Sequence, residues 1–258
     1  MSDTIASKKI TKMDLFLIMM RSFYIQAVWN FERLQNLGFL FVVVPMIKRL
    51  YPSKTERIPA LQRHLEFFNT HPYMASIVIG VVTSMEEKMV NSPDAVKPED
   101  IRSIKAIMSG PLAAIGDAFF WASLRPFSAL MGVTLFLLLD GWFKIIGPLF
   151  FLLFFNFFGL YIRFGGLLKG YRLGTGVVDI LKKFDTQELI TVVNLLGLIV
   201  LGVLLIIFMS GLDFWQNIVF GGTLLLSYGL IRKKVYTGLL IFIVILSSII
   251  MKYVGFDF

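Results

Sequence analysis

Between Leu189 and Met209 the chain reads LITVVNLLGLIVLGVLLIIFM, without one charged side chain. About 20 apolar residues in a row are what an α-helix needs to cross the hydrocarbon core of a bilayer. There the backbone must satisfy its own hydrogen bonds, which a helix does within one segment. Trp215–Ile231 and Tyr236–Val254 repeat the pattern. The turn Ser210–Phe214 precedes the first of these, and the basic stop Arg232-Lys-Lys234 divides the two. Phe143–Tyr161 is a further run of spanning length, after a loop-like Asp140–Lys144. Composition agrees: 57% of residues are hydrophobic and 16% charged, against roughly 45–50% and 25% in soluble domains. The expected class is an all-α integral membrane protein.

The charges set an expected orientation. Net charge is +8, and the basic residues sit in short separated loops rather than on one surface mixed with aromatics. That is the pattern of cytoplasmic loops beside anionic lipid, and it argues against nucleic-acid binding. The rule places Lys8, Lys9 and Lys12, the loop Lys48–Arg63, the basic stretch Arg163–Lys183 and Arg232–Lys234 inside. Ser210–Phe214 and the C-terminus then lie outside. No signal-peptide pattern precedes the first apolar segment. Cysteine is absent, so disulfides and thiolate metal sites are excluded.

The N-terminal half is less regular, and we divide the chain into 1–127, a broken-helix region, and 128–258, a helical scaffold. Met13–Leu50 leans apolar but is interrupted by Arg21, Gly38, Pro45 and the polar run from Gln26 to Arg33. If helical, Gln26, Asn30 and Arg33 share a face. Leu61–Thr70 reads as a helix that Pro72 stops. Ser76, Gly80, Thr83 and Glu87 follow at helical spacing, a narrow polar line suited to close helix contact. Glu86–Lys105 is the most hydrophilic part and is expected to be an exposed loop leading to a short helix. Gly110–Arg125, GPLAAIGDAFFWASLR, contains a Gly110-Pro111 pair, Gly116 and two charges in apolar sequence. We expect a helix break there, as in discontinuous helices that line polar cavities. Gly166, Gly170 and Gly174 repeat every four residues, a small-residue packing strip.

No enzyme site is visible. His64 and His71 have no cysteine or ligand triad around them, and no phosphate-binding G-x-x-x-x-G-K-[ST] occurs. No cofactor or metal is expected. The unusual groups are polar side chains in apolar surroundings. Gln26, Asn30, Glu32, Glu66, Asn69, His71 and Asp117 are candidate solute contacts, because amides and carboxylates hydrogen-bond sugar hydroxyls. Trp29 or Trp121 can stack on a ring. The competing reading is that these groups pair with one another or with an arginine, such as Arg125, to hold a broken-helix fold together.

These residues lie in blocks that carry a resemblance. Ala27-Val-Trp-Asn-Phe-Glu-Arg-Leu-Gln-Asn-Leu-Gly-Phe39, Arg63-His-Leu-Glu-Phe-Phe-Asn-Thr-His-Pro72, Met85-Glu-Glu87, Ile104–Asp117 and Phe120-Trp121 occur in this order. The chain thereby resembles the IID component of the mannose/fructose/sorbose family of the bacterial sugar phosphotransferase system (PTS), over nearly its whole length. The resemblance implies a multi-pass protein of the cytoplasmic (inner) membrane that works with a second membrane subunit, IIC, in a trimer of IIC–IID pairs. It implies soluble IIA and IIB partners that relay phosphoryl groups from phosphoenolpyruvate, and a hexose or related sugar as solute. It also implies that His64 and His71 are not phosphorylated and that this subunit is not an enzyme by itself. A scaffold that supports IIC without touching sugar is the alternative. The pattern departs at Ser210–Phe214, where many members carry a longer segment, so contacts of that outer region, including bacteriocin docking, are not carried over.

Overall fold

The computed structural model describes residues 8–183, 186–234 and 237–253. Among them all regular structure is helical, with two isolated bridges, Asn30 to Leu34 and Leu34 to Phe68. The chain divides into two compact units at Val200/Leu201, a boundary that falls inside a helix.

The first unit begins with α1 (Lys12–Arg21), whose N-terminus is closed by Thr11 and Asp14 in a reciprocal capping box. A short 3-10 turn leads into the irregular segment 25–35, and α2 (Asn36–Leu50) follows. Helix α3 (Lys54–His64) precedes a second irregular segment, 65–74, and then α4 (Ala75–Asn91). From Pro98 the chain is helical to Leu138: α5 (Pro98–Gly116), a π-helical stretch Asp117–Leu124, and α6 (Arg125–Leu138). Helix α7 (Ile146–Leu173) returns, followed by α8 (Val177–Lys183) and α9 (Thr186–Ser210). Among the described residues three stretches are long and apolar enough to cross a membrane: Pro98–Leu138, Gly141–Leu181 and Thr186–Ser210.

The core of this unit is built on α2, α4, α5 and α7, with α5 packed on α4 and α6 paired with α7. Helix α4 lies along α7 at a separation only glycine permits. A Cβ on Gly80 would stand 2.3 Å from the Leu167 carbonyl oxygen, and one on Gly170 2.5 Å from that of Ile77. Gly166 meets the Ile77 side chain in the same seam. Gly174 lies past the end of α7 with φ +55°, a left-handed turn that glycine adopts freely. It ends the helix rather than extending the strip.

The second unit contains α10 (Phe214–Arg232) and α11 (Thr237–Tyr253). Asp213 caps α10 with Gln216, and the Asn217 amide donates to the Met209 and Leu212 carbonyls, closing the tight turn. Tyr236, Val254 and the C-terminus lie outside the described residues.

Five local expectations are corrected. Helix α7 continues past Tyr161 to Leu173, so Arg163 is buried within it and the Arg163–Lys183 stretch is not wholly a basic connection. Residues 25–35 form turns, so Gln26, Asn30 and Arg33 do not share a helical face. The helix before Pro72 ends at His64, not Thr70, and covers most of the stretch read as the Lys48–Arg63 loop. Gly110-Pro111 does not break its helix. Proline there withholds one N–H, and glycine before it carries no Cβ to clash with the ring. Gly110 is exposed and has no atom within 4 Å of a Cβ position. Finally, α4 runs through Glu86 to Asn91, so Glu86 is fully buried and the loop is only 92–97.

Candidate solute-facing site of a membrane subunit

Two irregular segments, 25–35 and 65–74, are laced together by amides. The Asn30 side chain donates to Asn36 Oδ1 at 2.8 Å and accepts from the Arg33 N–H at 2.8 Å. The Asn36 amide donates to the Leu65 carbonyl at 2.7 Å. Gln35, fully enclosed, donates to the Thr70 carbonyl at 2.8 Å and accepts from its N–H at 3.1 Å. Leu34, at φ +55°, pairs its backbone with Asn30, a conformation unfavourable for a branched residue. Asn30 is therefore committed to holding the loop.

Around this lacing lies a shallow pocket of about 490 Å³ lined by Asn30, Phe31, Glu32, Arg33, Asn36, Leu37 and Leu65. Phe31 is 93% exposed, and Trp29 meets it edge to face at 5.1 Å. Glu32 is exposed and bonded to Arg33 at 3.1 Å. Gln26 is exposed in the turn before. Glu66, half-buried, pairs with Arg102 at 3.0 Å, while half-buried Asn69 has no hydrogen-bond partner among the described residues.

The second segment ends against the π-helical stretch. Its wide turns show in the Arg125 N–H, which reaches the Phe120 carbonyl, and in Ser123 Oγ, which donates to that of Ala118, each five residues back. His71 is buried and stacks on Phe120 at 4.9 Å. It lies so close to Gly116 that a Cβ there would stand 2.3 Å from its own. Its Nδ1 accepts from the Tyr73 N–H, leaving Nε2 as a buried donor unpartnered among the described residues. Burial, then the nearby charge of Arg163, pushes the His71 pKa down to about 4, so the ring is neutral. Asp117, Trp121 and Arg125 lie on the outer side of this stretch. All three are exposed, and Arg125 sits 5.4 Å from the Trp121 ring. The Asp117 side chain makes no hydrogen bond or ion pair among the described residues.

A buried ionic cluster supports these segments from below. Glu86 accepts from Arg63 at 2.5 and 2.9 Å, from Tyr51 at 2.6 Å, and meets His64 Nε2 at 3.0 Å. Lys105 donates to the Arg63 carbonyl and lies 4.6 Å from the Phe39 ring. Burial opposes the Glu86 charge, but the hydrogen bonds from His64 and Arg63 outweigh it and hold its pKa down to about 2. Burial pushes His64 down, so it pairs as a neutral donor. Reading by local hydrophilicity missed Arg63, Glu86, Gln35 and Asn36. Their signal was position: each lies inside or beside one of the blocks quoted above.

Among the described residues no group of three or more His, Cys, Asp and Glu side chains could hold a metal ion. What the structure defines is a polytopic membrane protein that displays hydrophilic and aromatic groups on its apolar body.

The comparisons are specific about which one. The model of the PTS system mannose/fructose/sorbose family IID component matches residues 9–210. The mannose-specific EIID component of Escherichia coli (strain K12) is 39% identical over 204 residues, 79% of this chain and 70% of that protein. The sorbose-specific EIID component of Klebsiella pneumoniae is 43% identical over 197 residues, and the fructose permease IID component of Bacillus subtilis (strain 168) 38%. Each of these two alignments covers 76% of this chain and 70% of the relative. One solved chain, described only as a membrane protein, superposes with a TM-score of 0.77 at 33% identity. Another, from the mannose transporter ManYZ in complex with microcin E492, gives 0.61 at 33% identity. Each alignment covers 96% of this chain and 98% of the solved one. The chain belongs to the IID components of the PTS mannose/fructose/sorbose family, membrane subunits of sugar permeases.

Proposed function

We propose that this IID subunit pairs with a IIC subunit around a hexose or related sugar, and that the face carrying Asp117, Trp121 and Arg125 borders the sugar's path. One observation carries the reading. Asp117 and Arg125 are the only charges between Leu112 and Leu139 in a helix long enough to cross the membrane, and both are exposed in the single chain. Facing lipid, each costs about 2.5–3.5 kcal/mol. A companion chain with a water-filled path removes that cost. Trp121 offers a ring face for stacking and Asp117 an acceptor for hydroxyls.

The pocket beside Glu32, with Asn69, Gln26 and Trp29, is the second contact region. Residues 1–127 form the transport core with IIC, and 128–258 serve as scaffold and oligomer contact in a trimer of pairs. The glycine seam locks α4 to α7 across that division, so access alternates by motion of this packed body against IIC rather than within it. The structure supports a cytoplasmic basic end: Arg49 pairs with Asp14, and Lys8 and Asn91 exchange hydrogen bonds, which gathers the N-terminus of α1 and the C-termini of α2 and α4. We assign that end to the cytoplasm of a bacterial inner-membrane protein, as the docking side for phosphorylated IIB, with IIA upstream. This subunit holds no phosphohistidine, since His64 and His71 are enclosed. Asn30 favours the scaffold alternative for itself alone, because its bonds are spent inside the chain.

Reconstitution tests the proposal. Vesicles holding this chain with IIC, supplied with IIB and with IIA phosphorylated in advance, accumulate sugar phosphate, and omission of IIC or IIB stops uptake. Uptake by this chain alone overturns it. Unchanged sugar affinity in assembled Asp117→Asn, Glu32→Gln and Asn69→Ala complexes overturns the contact assignment and leaves the scaffold reading.

A further inference from the structure

Arg163 is a buried charge outside both polar segments. It lies in α7, inside a stretch able to cross the membrane, and is 4% exposed. No carboxylate pairs with it among the described residues. Its Nη1 donates instead to the carbonyl oxygen of Ser22, and to Ser22 Oγ at 3.1 Å. Ser22 is the C-cap of α1, where a helix carries partial negative charge. The guanidinium also lies 4.6 Å from the Phe23 ring and 5.4 Å from that of Tyr73. A helix end and two aromatic faces thus replace a counter-ion.

The location gives this arrangement a consequence. Ser22 and Phe23 open the segment that carries the pocket, and Tyr73 closes the segment that carries Asn69 and His71. From α7, Arg163 reaches the start of the first segment through Ser22 and Phe23 and the end of the second through Tyr73. On the other side, Gly38 packs so tightly on Ile25 that a Cβ would stand 1.9 Å from its carbonyl oxygen. The pocket loop therefore leaves a clamp with α2 on one side and α7 on the other. We infer that Arg163 is a positioning residue: it fixes both polar segments to the membrane-crossing helix α7 and so sets the geometry in which the subunit meets its solute. The inference deepens the function proposed above and rests on it for the solute. Lysine carries the charge but lacks the planar guanidinium that stays close to both rings while its Nη1 reaches Ser22.

The natural chain has no cysteine, so a single spin label at Phe31→Cys reports on the pocket loop of the full-length chain assembled with IIC. In Arg163→Met the label's mobile component at least doubles, and Arg163→Lys gives a smaller rise. In unlabelled complexes, tested with radiolabelled mannose, fructose and sorbose, Arg163→Met raises the half-saturation concentration at least fivefold while changing maximal uptake less. If Arg163→Met does not assemble, Arg163→Lys and Ser22→Ala carry the same readouts. An unchanged label spectrum in assembled variants overturns the inference. A changed spectrum with unchanged half-saturation keeps Arg163 as the loop's anchor and removes the solute contact from the loop instead.

Discussion

Asn30 and Glu32 sit two residues apart in the same motif, yet the structure gives them opposite duties. Asn30 spends its amide on Asn36, Leu34 and Arg33, whereas the Glu32 side chain is 78% exposed. Asn30→Ala should cost about 1–3 kcal/mol through the unsatisfied partners it leaves, read as a lower thermal midpoint of the purified subunit. Glu32→Gln should leave that midpoint within about 0.5 kcal/mol, as surface changes do, and act on sugar affinity. Glu86 makes a second prediction. Its depressed pKa means the stabilisation is complete above the ordinary carboxylate range near 4.5 and fades as pH falls toward about 2. Glu86→Gln should cost about 3–5 kcal/mol at neutral pH, because it strands Arg63 in the interior, and should flatten the acid limb of a melting-point profile. That such groups matter was legible in the sequence, since polar side chains in apolar runs are expensive. Which of them pair was not, because the partners of Glu86 lie 22, 23 and 35 residues away, in α3 and at the end of α2.

At the scale of elements, apolar length and basic stops located α9, α10 and α11 to within three residues of their described ends, since burial in lipid depends on little else. The spacing of Ser76, Gly80, Thr83 and Glu87 likewise lies on the helix that meets the Gly166–Gly170 seam of α7. Where backbone conformation depends on distant contacts, local signals failed. Residues 25–35 have helical spacing but are held in turns by Gln35, Asn36 and segment 65–74. Gly110-Pro111 looks like a break, but the irregular turn lies at 117–124, where His71, Phe120 and Trp121 pack together. The α4–α7 seam supplies the prediction at this scale. Gly80→Val or Gly170→Val must force backbones apart, at a cost of about 1–3 kcal/mol or more, and should lower assembly with IIC in a pull-down. Gly165→Val, with nothing within 4 Å, should not.

For the whole molecule, the account turns on why an apolar body carries exposed charge. An isolated chain has no use for Asp117 and Arg125 on a membrane-crossing surface. A subunit that shares a hydrated path with a companion does, and the family to which the chain belongs is one of multi-subunit sugar permeases. The most direct measurement exploits the cysteine-free sequence. Single cysteines at Asp117, Trp121 and, as a lipid-facing control on α7, Leu153 (70% exposed) are challenged with a membrane-impermeant maleimide in the assembled permease. The account predicts that positions 117 and 121 react, that the transported sugar slows both, and that position 153 stays unlabelled. Labelling at 117 and 121 as low as at 153, unchanged by sugar, would contradict it.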